Sequence, residues 1–195
     1  MPDLIDELVG IAPGDHLDEL RAKRPIARRD AQASYEGLIV SPSDLERAST
    51  VERAAIGYWV AALSQAEVLA DHYRGLLVAL DPVVFEAVAA AVPDATTNGP
   101  YGAYPPGPLS AEDEDGLRWT APAALHAAVG DRLAAALEHA HLLTFRPRDS
   151  SADALQALLD AGWTTDGIVT VSQLIAFSHF QLRVIAGLTV LKEAN

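Results

Sequence analysis

The chain has 195 residues, 50% apolar and 21% charged, which is enough for one packed core and excludes a disordered chain. It contains no cysteine, so disulfides, zinc–thiolate centres, iron–sulfur clusters and thiol nucleophiles are excluded. The formal net charge is −13, and a chain this acidic is repelled by phosphate backbones and anionic lipid surfaces. We therefore expect neither a nucleic acid nor a membrane as a partner.

Residues 1–45 are predicted to form short N-terminal helices, broken at Pro13-Gly14 and at Pro25. Five basic residues crowd into positions 21–29, and we interpret them as a solvated helix face beside the acidic opening segment. That opening segment carries acid where a signal peptide needs base, and no uninterrupted apolar run reaches the ~18 residues of a membrane span. The expected location is therefore cytoplasmic.

Residues 46–92 form a first predicted hairpin region. Ser49 and Glu52 have the spacing of a capping box, which predicts a helix start. Apolar residues then recur every three or four positions to about Leu80, with a kink expected near Ser64-Gln65. A further short helix is predicted over 83–92.

Residues 93–115 are predicted to form a loop rich in glycine, proline and tyrosine, because five prolines and three glycines fall within 93–109. The second helical half covers 131–190, with helix starts expected at Asp131, Ser151 and Thr165. No strand alternation is present. The sequence thus predicts one all-α domain over 1–195, built from two helix-hairpin halves.

Two pieces of the chain resemble a known superfamily. The first runs from Thr50 to Ser64 and continues in Ala70-Asp-His72, and the second is Leu-Gln-Ala-Leu-Leu-Asp-Ala-Gly-Trp163 followed by the apolar helix 166–188. They are similar to the two hairpins of carboxymuconolactone decarboxylase / alkylhydroperoxidase-D-like proteins, particularly the peroxidase-related subgroup. The resemblance implies an alkylhydroperoxidase-D-like helical fold and a homo-oligomer of two or more subunits.

The sequence departs from that family at the positions that reduce peroxides. Thiol peroxidases of the family use Cys-x-x-Cys, a His four residues on, and a Glu twelve residues before the first Cys. Aligning His72 puts Gln65 and Val68 at the cysteines and Arg53 at the glutamate. The alternative register puts Ala66 and Leu69 at the cysteines. The resemblance therefore implies a branch without thiol chemistry, tied to oxidative defence by descent or by pairing with a Cys-bearing homologue.

Two pairs of acid and imidazole side chains could still carry chemistry. Glu52 and His72 could form a general acid–base pair, or they could be a helix cap and a half-buried surface histidine. Glu138 and His141 share one face of a predicted helix. They could line a polar pocket as a hydrogen-bonded pair, form a plain surface or interface pair, or supply part of a metal site, although no second Glu-x-x-His copy accompanies them.

Further polar residues are candidates for binding a substrate. On the last helix, His179 and Arg183 lie on one stripe, which could bind a small anion or carbonyl or could form a subunit interface. Gln65 would place an amide where the family has a thiol, and Tyr101 could cover a pocket. We expect the pocket between the hairpin 52–72 and the helices 131–143 and 166–190, with the loop 93–109 over its mouth.

Three functions remain open at this point. The chain could be a Cys-less peroxidase-related protein, a non-thiol acid–base enzyme acting on a small carboxylate or lactone, or a non-catalytic binding or partner subunit. Neither a G-x-G-x-x-G loop nor a phosphate-binding loop is present, so no cofactor is expected, and no metal ligand is assigned.

Overall fold

The computed structural model describes residues 3–194, which are 73% helical and contain no strand. The all-α prediction is confirmed. The α-helices of this part of the chain are α1 (Leu4–Val9), α2 (His16–Ala22), α3 (Pro25–Tyr35), α4 (Thr50–Leu63), α5 (Glu67–Leu80), α6 (Pro82–Ala95), α7 (Ala123–Phe145), α8 (Ala152–Asp160) and α9 (Thr165–Glu193). A π-helical turn (Glu36–Val40) extends α3, and short 3-10 turns lie at Pro108–Glu112 and Pro147–Asp149.

The helix α4 is the centre of the molecule. Its residues 53–57, 59–61 and 63 are buried, and α5, α6, α7 and α9 all pack against it. Because apolar residues lie on most sides of α4, contact with other helices on all sides removes the most apolar surface from water. The indole N–H of Trp59 donates to the carbonyl oxygen of Leu137 at 3.0 Å and so ties α4 to α7.

The break between α4 and α5 lies where the sequence predicts a kink. Gln65 has a φ of 54°, in the left-handed region, which reverses the chain between the two helices. The capping box at the start of α4 is also confirmed: the Ser49 hydroxyl accepts from the Glu52 N–H, and the Glu52 carboxylate accepts from the Ser49 N–H.

Two predicted helix boundaries are wrong, and the sequence does not predict one helical segment. The helix α6 continues through Pro93 to Ala95, since a proline in the last turn removes only one backbone donor. A break at Gly130, whose φ is 80°, divides α7 in two, so a helical segment does start at Asp131 as predicted, and the segment 123–129 before it is the one the sequence does not predict. The cap of α9 is Thr164 rather than Thr165, because the Thr164 hydroxyl accepts from the Gly167 N–H.

The N-terminal basic cluster is only partly a solvated face. Arg21, whose side chain is 9% exposed, contacts the carboxylates of Asp3 and Asp6. Arg28 contacts Asp6 as well and pairs with Asp18 at 2.8 Å. These ion pairs join α1, α2 and α3 into one unit. Each of the three helices is too short to be stable alone, so their stability depends on contacts of this kind.

The long helix α9 closes the bundle against α4 and α1. Near its end, the Lys192 ammonium donates to the carbonyls of Val9 (2.9 Å) and Gly10 (2.7 Å). By length and composition alone α9 could also cross a membrane, with a mean hydropathy of 1.6 over its most apolar window. The core helices of soluble proteins pass the same test of length and composition.

Candidate functional site

A cleft of about 490 Å³ lies between α6 and the segment 117–125; we call it the α6 cleft. Its volume is within the range typical of small-molecule sites. Most of its lining is apolar, and the four alanines leave room beside the backbone: Ala87, Ala90, Ala91, Leu117, Ala124 and Leu125. Trp119 forms an aromatic wall, and Asp94 and Arg118 supply charge.

Glu138 and His141 hold the two walls of the α6 cleft in place. The Glu138 carboxylate accepts from the backbone N–H of Ala121 at 2.6 Å, which fixes the segment before α7. The Nε2–H of His141 donates to the carbonyl of Ala95 at 3.0 Å, which fixes the end of α6. Glu138 and His141, which the sequence places on one face of the helix, therefore both support the α6 cleft. Each does so through a backbone group on a different side of the cleft.

The aromatic wall rests on the core behind it. The ring of Trp119 lies 4.9 Å from Trp59 and 5.7 Å from His141, measured between centroids. Desolvation lowers the pKa of His141, so its imidazole is neutral at pH 7 and the Nε2–H tautomer is set by the Ala95 carbonyl. Trp119 is thus held by packing, while its indole N–H has no hydrogen-bond partner among the described residues.

The charges of the α6 cleft are unequally compensated. Arg118, whose side chain is 67% exposed, lies 3.2 Å from Asp149, and that carboxylate also pairs with Arg146 at 2.7 Å. The Asp94 carboxylate has no hydrogen bond or ion pair within residues 3–194. Asp94 also lies in the last turn of α6, where the partial negative charge of the helix end adds to its own. The exposed residue Asp94 therefore places a carboxylate without a protein partner at the edge of the cleft.

His72 and Glu52 are not brought together as an acid–base pair. The Nε2 of His72 lies 2.9 Å from the hydroxyl of Tyr35 on α3, and burial lowers the pKa of this histidine. The Glu52 carboxylate bonds the Ser49 N–H and the Nε of Arg132, the latter at 2.7 Å. Glu52 thus caps α4 and ties it to α7, while His72 joins α5 to α3.

A polar seam between α7 and α9 contains the remaining predicted histidine. His179 Nε2 lies 3.1 Å from the hydroxyl of Thr144. Five residues before Thr144 on α7, His139 has its Nε2 3.3 Å from the hydroxyl of Ser172 on α9. The Nδ1 atoms of both histidines are buried without a hydrogen-bond partner. Burial lowers both pKa values, so neither ring is charged at pH 7.

The other predicted binding residues lie apart from the α6 cleft. Gln65 is exposed at the turn between α4 and α5. Arg183 is exposed on α9 and donates to the carbonyl of His179 in its own helix. Tyr101 packs inside the loop, with its ring against Gly116 and its hydroxyl 2.9 Å from Thr97 Oγ1. Gln65, Arg183 and Tyr101 therefore lie in three different parts of the molecule and do not line one common pocket beside the first hairpin.

Sequence reasoning missed Asp94, Arg118 and Trp119. Asp94 lies at the edge of a proline-rich loop, and acidic residues are common in such loops, so it did not stand out as a site residue. The signal that could have marked the site is Trp119, a large apolar residue within an otherwise polar segment. No group of three or more His, Asp or Glu that could hold a metal ion is found in the part of the chain that the structure describes.

The comparisons with known proteins give no relative: no family model, no curated protein and no solved structure matches this chain. The resemblance to alkylhydroperoxidase-D-like proteins therefore depends on the two sequence pieces alone and stays a prediction.

Proposed function

We propose that the protein is a binding protein for a small organic cation, with the α6 cleft as its site. The observation that carries the proposal is the free carboxylate of Asp94 at the edge of an apolar cleft that has an aromatic wall. A cationic amine gains from a carboxylate and from the face of an indole, while its hydrocarbon body gains from leaving water.

The size of the cleft favours a ligand of a few carbon atoms or a single ring. A volume near 490 Å³ admits such a molecule, and the three alanines on α6 leave its body in contact with a smooth apolar surface. The unpartnered indole N–H of Trp119 offers one further polar contact. A primary amine with an aromatic or short aliphatic body matches these features.

The charge balance favours a cation over an anion. Arg118 would be the anchor for a carboxylate ligand, but its guanidinium already lies 3.2 Å from the Asp149 carboxylate, which it shares with Arg146. Asp94 has no such partner, and the end of α6 adds to its negative potential. The net charge of −13 also raises the local concentration of small cations around the whole molecule.

Binding without turnover is supported by how the candidate acid–base groups are used. Glu52, His72, Glu138 and His141 each bond a backbone group or a neighbouring side chain that joins two elements. An acid–base enzyme needs such a group free to reach the reacting proton. The peroxidase-related function and the partnership with a Cys-bearing homologue stay predictions, and any such activity would have to proceed without a thiol.

The test uses three probes of nearly equal shape: phenethylamine, 2-phenylethanol and 3-phenylpropionate. The chain has three tryptophans, and Trp59 and Trp163 are buried, so the indole N–H signal of Trp119 reports on the cleft in an NMR titration. We expect phenethylamine to shift that signal with a dissociation constant about tenfold below that of the alcohol, and the carboxylate to bind most weakly.

Two variants separate the charge from the cavity. Asp94→Asn should remove the preference for the amine while leaving the alcohol's affinity unchanged. Asp160→Asn, at an exposed acid on α8, should change neither. If no probe shifts the Trp119 signal at millimolar concentration, the α6 cleft is not a binding site for small molecules of this kind and the proposal is wrong.

A further inference from the structure

A second cleft, of about 260 Å³, lies between α3 and α9; we call it the α3 cleft. Among the other α-helices, α3 packs mainly on α1 and α2, and these two in turn pack on α9. The space between α3 and α9 therefore stays partly open. Six apolar side chains from the four helices line it: Ile5, Leu20, Ala27, Ala31, Phe180 and Val184.

One face at the start of α3 supplies both charge and room to the α3 cleft. Arg24, Ala27, Arg28 and Ala31 all line it, because residues at i, i+3, i+4 and i+7 share one side of a helix. The two alanines leave space beside the backbone, and Arg24 lies at the N-terminal end of the row. The α3 cleft thus has a cationic end and an apolar end.

Phe180 forms the outer wall of the apolar end. Its ring is stacked on that of Phe177, with 6.0 Å between the centroids, yet Phe180 is still 43% exposed. Ile5 and Ala31 are buried in the same cleft, at 4% and 9% exposure. A hydrocarbon chain placed in the cleft would cover part of the Phe180 ring, and the removal of both surfaces from water favours binding.

The charge at the other end belongs to one free guanidinium. In the part of the chain that the structure describes, three arginines and no acid line the α3 cleft. Arg21 and Arg28 are already engaged by aspartates of the N-terminal segment. The side chain of Arg24 is exposed and has no hydrogen bond or ion pair within residues 3–194. Arg24 is therefore the cation of this cleft that is free to bind an anion.

We infer that the α3 cleft binds an apolar carboxylate whose chain has about six to eight carbon atoms. The carboxylate pairs with Arg24, and the chain lies along Ala27 and Ala31 towards Phe180. Arginine suits this anion, because its planar guanidinium donates two parallel hydrogen bonds to a carboxylate. The volume of about 260 Å³ is just below that of sites for drug-sized ligands, which limits the length of the chain.

Both ends of the cleft are needed to choose this class of ligand. Inorganic phosphate would gain from Arg24 but leave the apolar end without contacts. A neutral hydrocarbon would fill the apolar end and leave the guanidinium unused. A cationic amine would be repelled by Arg24. The inference is independent of the α6 cleft, where the free charge is the carboxylate of Asp94.

Three probes with the same hydrocarbon body test the charge preference: octanoate, 1-octanol and octylamine. The δ1 methyl signal of Ile5 reports on the α3 cleft in an NMR titration, because Ile5 lines it. At low salt we expect octanoate to bind with a dissociation constant about fivefold below that of the alcohol, and the amine to bind most weakly. Salt at about 0.5 M should reduce the preference for octanoate, since Arg24 is exposed, and leave the alcohol's affinity unchanged.

Two pairs of variants separate the charge from the space. Arg24→Gln should abolish the preference for octanoate over octanol, whereas Arg29→Gln makes the same change in net charge on α3 outside the cleft and should preserve it. Ala27→Leu fills the apolar end and should weaken binding of both octanoate and octanol by about tenfold or more. Ala33→Leu, at an exposed position of the same helix outside this cleft, should weaken neither.

Three results would overturn the inference. The first is an Ile5 signal that no probe shifts at millimolar concentration. The second is equal affinity for octanoate and octanol in the unmodified chain, or a preference that survives in Arg24→Gln. The third is an octanoate titration that shifts the Trp119 indole signal in place of the Ile5 methyl, which would put the acid in the α6 cleft. Circular dichroism checks each variant, and the probe series on the unmodified chain decides the matter if a variant does not fold.

Discussion

The ring of Tyr73 lies directly against Gly57, so closely that a Cβ at position 57 would stand 2.5 Å from its Cε1. The Tyr73 hydroxyl then donates to Gln181 Oε1 at 2.6 Å. One side chain on α5 thus contacts both the central helix α4 and the long helix α9. Desolvation raises the pKa of Tyr73 well above its usual range, which keeps the phenol protonated as a donor.

Replacing Gly57 with alanine should destabilise the protein by about 1–3 kcal/mol, because the methyl group has to displace a fully buried ring. Chemical denaturation measures the change. Gly75→Ala is the matched control: Gly75 is exposed on α5 with nothing within 4 Å of a new Cβ, and alanine there should stabilise by about 0.5–1 kcal/mol. Equal effects at both positions would contradict the packing described here.

The buried guanidinium of Arg53 holds the segment between α3 and α4. It is fully buried and donates to the carbonyls of Ala48 and Leu38 and to the carboxylate of Asp44. Arg53→Met should lower the free energy of unfolding by about 3 kcal/mol, since these acceptors lose their partner. Arg74→Met removes an arginine that is 53% exposed and should cost less than about 0.5 kcal/mol.

Glu138 can be tested as a positioning residue of the α6 cleft. Glu138→Gln keeps an oxygen that accepts from the Ala121 N–H, so phenethylamine affinity should stay within about twofold. Glu138→Ala releases the segment before α7 and should weaken binding about tenfold. A similar loss in both variants would instead indicate that the charge of Glu138 acts on the ligand.

The stability of the protein should fall as the pH drops below about 6.5, the usual pKa of histidine. Burial lowers the pKa values of His72, His139, His141 and His179, so the unfolded chain binds more protons than the folded one in that range. The stabilisation is therefore complete above the unfolded pKa and is lost towards the folded values.

Denaturation at pH 7.5, 6.5 and 5.5 measures this dependence. His139→Met should reduce it, because one of the four imidazoles with a lowered pKa is removed. His16→Gln, at an exposed position, should leave it unchanged. A free energy of unfolding that does not vary between pH 7.5 and 5.5 would contradict the burial of these rings.

The sequence predicts the helices much better than it predicts how they meet. Ser49, Glu52 and Ser151 mark helix starts because a cap depends only on residues nearby in the chain. Pro93 misled the prediction, since a proline ends a helix only when the lost donor matters. The fold class was therefore accessible, and the specific alkylhydroperoxidase-D-like arrangement stays a prediction.

The candidate site shows a different limit. The i, i+3 spacing correctly places Glu138 and His141 on one face of α7, because helix geometry is regular. It cannot tell that their partners are the backbone groups of Ala121 and Ala95, which come from either side of a long loop. Asp94 differs from the other acids near it in having no hydrogen bond or ion pair among the described residues. The sequence cannot show this, because it depends on which side chains the whole fold brings close to Asp94.

The contact between Lys192 and the end of α1 has a consequence for how the molecule is made. The two groups are 183 positions apart in the chain, and α1 packs mainly on α9. During synthesis the first helix can therefore pair with α2 and α3, but it cannot pack on α9 until the segment 165–193 has left the ribosome. The opening helices are expected to wait as a loose, ion-paired unit, and the bundle to close in one late step.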